Sequence, residues 1–399
     1  MPQASLPSSP KRQYELDLLR FAAALAVVLF HYTFRGYAAD GYSPIAYPEL
    51  APYTKYGYLG VELFFIISGY VILLSTYGKT VRQFFVSRVT RLYPAFWVAC
   101  TLTFVVERLW GKGPADPAMA SNLEASFRQY AYNMTMLQDF FGVTAIDGAY
   151  WSLSIEITFY FIISLLIGYR LIRHIDVMLV LWLGCVFVTG SLPATAPFAY
   201  LLFPQYAPYF IAGMVFQLLQ QPAQRTYLRY LILFTSYHLA VQNSLAQAEL
   251  LGSTYHTVFS PLVVVSIITL FYLSFMLIAL RIVTLNRFAW LAWLGVVTYP
   301  LYLLHSNIAF VAFHRIGHLF NKYLLLGLTL IVMIGAAYLI HFFVERPFTK
   351  KLRSYLQQLL VQFDTWNIRE PVLGDASARR GGASGGHGAA ADEVSSAKH

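Results

Sequence analysis

Ten apolar stretches, at about 16–34, 58–77, 92–110, 150–169, 175–191, 200–219, 229–246, 258–280, 289–313 and 323–344, dominate the chain. Each is about the length that crosses a hydrocarbon core of roughly 30 Å. Backbone groups facing lipid must be satisfied within their own segment, so such stretches are helical. The expected fold is therefore an all-α integral membrane protein, a bundle of about ten transmembrane helices. Composition agrees: 58% of residues are hydrophobic, only 12% are charged, and the mean hydropathy is +0.55. The seventh stretch, YLILFTSYHLAVQNSLA, carries His238, Gln242 and Asn243 and is the weakest of the ten, while the fifth is short.

The net charge of +9 is spread between the apolar runs rather than gathered in one patch, so nucleic acid is not an expected partner. Placing the amino terminus inside puts sixteen of the lysines and arginines on the cytoplasmic side and seven on the other. The positive-inside rule then favours both termini in the cytoplasm. Residues 1–13 are expected to be a cytoplasmic tail, 353–372 an interfacial helix, and the Gly, Ala and Ser-rich residues 373–399 a disordered cytoplasmic tail. The first apolar run follows Lys11 and Arg12 as a secretory signal would, but its length, Arg20 and the lack of a small-residue cleavage site before His31 make it a retained helix. Cys100 and Cys185 have neither framework nor ligand spacing, so neither a disulfide nor a metal is expected.

Ionisable residues at membrane depth are costly and mark function. Arg20 and His31 are eleven positions apart in LDLLRFAAALAVVLFHY, on one helix face and about 16 Å apart along the axis. Glu62, in GYLGVELFFIISGYVI, and Glu156, in YWSLSIEITFYFI, enter from the outer side, where a carboxylate would hold the tautomer of His31 and stabilise its imidazolium. Interhelical hydrogen bonding is the alternative for each carboxylate. Arg88 and Arg91 lie at i and i+3 in FFVSRVTRLYPAFW, a spacing that with Arg20 suits a phosphorylated ligand. The alternatives are membrane anchoring for this pair and a snorkelling end-of-helix arginine for Arg20. His305, with Tyr299 and Tyr302, falls in the ninth span, and Tyr150 and Trp151 open the fourth. These are candidate substrate contacts, although an interfacial aromatic belt accounts for the outer tyrosines equally.

Taken in order, these segments resemble acyltransferase family 3, integral-membrane enzymes that O-acylate cell-surface polysaccharides, peptidoglycan, lipo-oligosaccharides and some antibiotics. DLLRFAAALAVVLFH resembles the family's Arg-x10-His motif, GVELFFIISGYVI its second-helix motif, SRVTRLYPAFW its Arg-x-x-Arg motif, WSLSIEITFYF its Trp-Ser-Leu-Ser-x-Glu motif, and LGVVTYPLYLLH its near-terminal helix ending in histidine. The likeness runs from about Tyr14 to Phe348. Glu62 stands where the family often has aspartate, and Tyr299-Pro300 replaces a serine-containing pattern.

The resemblance implies a transmembrane acyltransferase domain over residues 14–352, in a bacterial-type cytoplasmic (inner) membrane. It implies an acyl-CoA donor, with acetyl-CoA first, held by Arg20, Arg88 and Arg91. The acceptor is expected to be a hydroxyl of a glycan, glycolipid or lipid-linked saccharide. His31 is the expected general base, with Glu156 or Glu62 orienting it or meeting the acceptor. His305, Tyr150 and Trp151 are expected at the acceptor. No attached esterase-like domain is expected. A transporter or flippase of a hydroxylated or acylated lipid is the reading from another class, since buried ions also line pathways. A small secreted metabolite is the alternative acceptor.

Overall fold

The computed structural model describes residues 12–39, 41–111, 123, 125–189 and 201–369, with side chains to residue 362. Residues 1–11 of the expected amino-terminal tail and the whole expected disordered tail lie outside the described residues, as do 112–122 and 124 of the outer loop. The chain divides into two units, Met1–Arg353 and Ser354–His399.

Among the described residues every regular element is a helix. Helix α1, Tyr14–Phe30, runs without interruption into a π-helical turn, His31–Arg35. It is followed by α2, Gly60–Leu74; α3, Val81–Trp110; α4, Trp151–Gly168; α5, Ile175–Thr189; α6, Ala207–Leu219; and α7, Tyr227–Thr254. The bundle is completed by α8, Pro261–Ala279; α9, Leu291–Leu304; α10, Asn307–Ile316; and α11, Lys322–Ile340. A second π-helical turn, His341–Glu345, leads into α12, Arg346–Arg369. Residues 354–369, the described part of the second unit, are the later turns of α12.

Among the described residues, seven helical runs are long and apolar enough to cross a membrane. An eighth forms if α9 and the following segment count together, although the two are bent by 67°. Each of the ten apolar stretches overlaps a helix, so the protein is a multi-pass, all-α membrane protein; among the described residues, seven or eight of the ten have the length and hydropathy of a full span. Two stretches make the difference. The sixth forms α6, with 13 residues, all of them buried. A helix enclosed by protein need not match the thickness of the bilayer. The seventh forms α7, which is 28 residues long but dilutes its apolar face with Gln242, Asn243, Gln247 and Glu249.

Helix α6 is the hub, and it packs most extensively on α2. The two approach at backbone distance: a Cβ on Gly69 would collide with the Phe210 carbonyl, and one on Gly213 with that of Ile66. Small residues at a crossing are how membrane helices gain contact without a hydrophobic driving force. Phe65 stacks on Phe210 at 4.7 Å between ring centroids and closes the crossing. On the other side, α1 lies between α2 and α9 and presents the buried Ala23, Ala24 and Val27. Helix α9 also packs on α3, and α4 packs on α2 and α3, so the helices that carry the ionisable residues form one connected cluster.

Candidate functional site

Three arginines meet first. Thr80 starts α3 with a capping box, its side chain accepting from the Gln83 N–H while Gln83 accepts from the Thr80 N–H. Two turns later, Arg88 and Arg91 face a cavity that Arg20 of α1 also lines. Arg20 keeps a partner, Asp17 one turn earlier at 3.6 Å. Arg91 is exposed at the cavity's edge. Arg88 is buried, 8% exposed, and only its Nη2 is bonded, donating to Ser87 Oγ at 3.0 Å. Its Nε and Nη1 have no hydrogen-bond partner. The guanidinium lies 5.6 Å from the Phe84 ring and 5.8 Å from that of Tyr160. Two unpaired cationic donors in a dry wall are costly unless an anion meets them.

Glu156 sits in this cavity, not beside His31. Its Oε1 accepts from Tyr160 OH at 2.5 Å and from Ser68 Oγ at 3.0 Å, and it lines the same wall as the three arginines. Glu62 is also away from the histidine. It is buried in the first turn of α2 with its Oε2 unpaired. The expected carboxylate for His31 is thus replaced by other groups. The reason is helix rotation, because entering from the same side does not fix which face a residue presents.

His31 opens the π-helical turn of α1 and is 5% exposed. The wider turn brings Arg35 onto it, with Arg35 Nη1 donating to His31 Nε2 at 3.1 Å. On the other edge of the ring, Nδ1 lies 2.8 Å from the Val27 carbonyl and 3.3 Å from Nε2 of His305. His305 is fully buried, and its Nδ1 lies 2.7 Å from the Tyr302 carbonyl. Short irregular turns of this kind recur at functional sites.

His305 stands at the break between α9 and α10. An unbroken helix would bond the Asn307 N–H to the Leu303 carbonyl. Here Asp147 Oδ2 accepts the Asn307 N–H at 3.0 Å, and Tyr150 OH donates to the Leu303 carbonyl at 3.1 Å. The loop before α4 therefore supplies both halves of the missing bond. Asp147 is held in turn by the Ala149 N–H on Oδ1 at 2.8 Å, an Asx-turn that launches α4. Asn307 Nδ2 donates to Glu107 Oε1 at 2.7 Å and to the Ile146 carbonyl at 2.8 Å. Burial pushes the Asp147 carboxyl up to about 6, against the two backbone N–H groups and Arg35, which oppose the rise.

Tyr150, expected at the substrate, is fully buried and committed to this break. Trp151 packs against Phe65 and Tyr206 with ring centroids 6.4 and 5.3 Å away. Tyr302 joins the two poles: its ring and hydroxyl line the cavity, the hydroxyl pairing with Ser152 Oγ at 2.7 Å, while its carbonyl receives His305. Arg35, Asp147, Asn307 and Glu107 were not picked out from sequence. The signals available were Arg35 four residues after His31 and an Asp-Gly turn four residues before Trp151. Among the described residues, no group of three His, Cys, Asp or Glu side chains is placed to hold a metal ion.

Residues 13–342 match the family profile of the acyltransferase domain of acyltransferase family 3. The chain belongs to this family. Within it, the chain is 26% identical over 202 residues to the peptidoglycan O-acetyltransferase OatA of Listeria monocytogenes, 45% of this chain and 30% of that protein. It is 29% identical over 205 residues to the acyltransferase MdmB of Streptomyces mycarofaciens, 48% of this chain and 50% of that one. With the O-acetyltransferase OatA of Staphylococcus aureus it shares 30% identity over 179 residues, covering 41% and 26%. These alignments cover half the length or less of each relative. No solved structure matches the chain. In acyltransferase family 3 terms, the Arg-x10-His segment contributes to both poles, and the Arg-x-x-Arg and Trp-Ser-Leu-Ser-x-Glu segments to the cavity.

Proposed function

We propose that this protein is a membrane O-acyltransferase that moves an acyl group, acetyl first, from acyl-CoA to a hydroxyl of a cell-envelope glycan or lipid-linked saccharide. The observation that carries the reading is Arg88: a buried guanidinium with two unpaired donors, in one cavity with Arg20 and Arg91. Guanidinium groups recognise phosphates through paired N–H donors, which suits the nucleotide end of coenzyme A. The arginine pole then faces the cytoplasm of a bacterial-type inner membrane, with both termini on that side, and the histidine pole faces outward.

In this scheme Tyr302 and Ser152 lie between the arginines and the histidine pair, along the path of an extended pantetheine arm. The acceptor hydroxyl takes the place of Arg35 on His31 Nε2. That nitrogen removes the hydroxyl proton as the oxygen bonds to the acyl carbon. The carbon–sulfur bond breaks, and the departing thiolate receives the proton from Nε2. Arg35, one hydrogen bond away, offers its guanidinium to the negative charge on the carbonyl oxygen. Glu156 holds Tyr160 and Ser68 in the donor wall. The name of the Listeria monocytogenes relative, a peptidoglycan O-acetyltransferase, favours a peptidoglycan-type acceptor, and a small secreted metabolite is the comparison substrate. The test is acceptor-dependent release of coenzyme A by the protein in lipid, wild type beside His31→Ala.

A further inference from the structure

The hydrogen bonds around the two histidines fix both tautomers. A carbonyl only accepts, so the 2.8 Å contact with Val27 O puts the proton of His31 on Nδ1. A guanidinium only donates, so the 3.1 Å contact with Arg35 leaves the lone pair on Nε2. The two assignments agree independently. For His305, the 2.7 Å contact with Tyr302 O puts the proton on Nδ1, which leaves the Nε2 lone pair directed at His31 Nδ1, 3.3 Å away. The rings stand at 82° with centroids 4.8 Å apart, so the in-plane lone pair of one meets the edge of the other.

We propose that His305 is the positioning residue of the base: its Nε2 accepts from Nδ1–H of His31, holding the lone pair of His31 Nε2 toward the acceptor hydroxyl and sharing the charge when that nitrogen is protonated. This rests on the acyl-transfer reading above and changes the place of His305 from substrate contact to partner of the base. No atom leaves His305 during the cycle. The proton taken from the hydroxyl resides on His31 Nε2 and passes to the thiolate, while Nδ1 keeps its own proton throughout.

Three features of the fold serve this arrangement. Both rings are buried, so water cannot supply the second acceptor on Nδ1. The π-helical turn sets His31 at its start, and the break fixes His305 at the end of α9 with the Tyr302 carbonyl as its anchor. A neutral imidazole in the role often filled by a carboxylate stabilises the imidazolium less strongly. That suits a base that must return its proton to a thiolate within the same turnover.

The experiment pairs kinetics with histidine-ring 15N NMR of the full chain in lipid nanodiscs, for wild type, His305→Ala and His305→Gln, with His31→Ala to assign the resonances. Glutamine keeps an acceptor oxygen. The expected result is a fall in kcat of about 10²-fold in His305→Ala with the acceptor KM within about threefold, and recovery of at least tenfold in His305→Gln. In the spectra, His31 carries its proton on Nδ1, and that resonance moves in His305→Ala and returns in His305→Gln. A rise in acceptor KM alone, or a His31 protonated on Nε2, overturns the proposal. If wild type moves no acyl group, the transferase reading falls, and the spectra still decide whether the two rings share the proton. If His305→Ala fails to fold, His305→Gln decides, with loss of the Nδ1 tautomer as the contrary result.

Discussion

Asp147 Oδ2 accepts the backbone N–H of Asn307 at 3.0 Å, so a carboxylate from the loop before α4 occupies the position of a helix carbonyl in the break between α9 and α10. A negative group at a helix start also meets the positive end of the helix dipole. The break that fixes His305 is therefore held from outside by two residues of one short loop, Asp147 and Tyr150.

Tyr150→Phe removes only the hydroxyl that serves the Leu303 carbonyl. Leaving a buried carbonyl unpaired costs about 1–3 kcal/mol. The variant is expected to insert and purify, with a thermal midpoint several degrees lower and acyl transfer reduced through His305. Stability equal to wild type in a scan of detergent-solubilised protein contradicts the role given to Tyr150.

Asp147 makes a pH-dependent contribution. Its carboxyl is raised by burial from 3.8 to about 6, so the folded state holds the proton more tightly than the unfolded chain. The stability from this group is complete below about 3.8 and is lost as pH rises through about 6, at most roughly 3 kcal/mol. Asp147→Asn cannot lose a proton. The apparent midpoint of wild type minus that of Asp147→Asn is expected to fall between about pH 4 and about pH 6.5, and a difference constant across that range contradicts the assignment.

Arg88 is expected to act on donor affinity. Arg88→Gln removes the buried charge and both unpaired donors, so the KM for acyl-CoA should rise about 10- to 100-fold while kcat stays within about threefold. Lysine lacks the planar fork, so Arg88→Lys should recover only part of the loss. Acyl-CoA titrations of the three proteins decide, and an unchanged donor KM in Arg88→Gln removes the argument for a phosphate site.

The α2–α6 crossing supplies a stability prediction independent of chemistry. Gly69→Ala or Gly213→Ala drives a methyl into a backbone carbonyl of the partner helix and should cost about 3 kcal/mol or more. At Gly184 and Gly335 an added Cβ meets nothing within 4 Å, and alanine there should stay within about 0.5 kcal/mol. Size-exclusion profiles after a heat step compare the four variants, and equal survival contradicts the close crossing.

The helices were legible in the sequence because apolar runs of bilayer length leave the backbone one local solution. The meeting of Arg20, Arg88 and Arg91 was also foreshadowed, by helical spacing on α1 and α3. The carboxylates were not: Glu62 and Glu156 share a depth expectation with His31, but the rotation of α2 and α4 about their axes decides what each faces, and that is set by packing. The break at His305 was hidden inside the stretch at about 289–313, since hydropathy does not register a 67° bend. Asp147 and Asn307 are 160 positions apart and meet only in the folded bundle. The shortness of α6 went unread for a related reason: a window of hydropathy does not separate a helix facing lipid from one enclosed by other helices.

The most direct test of acyl transfer is coenzyme A release by purified protein in lipid, supplied with acetyl-CoA and a panel of peptidoglycan fragments, lipid-linked saccharides and a glycosylated small metabolite, wild type beside His31→Ala. Release that depends on the acceptor, yields the O-acylated product and falls by at least 10²-fold in folded His31→Ala is the predicted result. Acceptor that binds or crosses the membrane with no coenzyme A released, or transfer that survives the loss of His31, contradicts it.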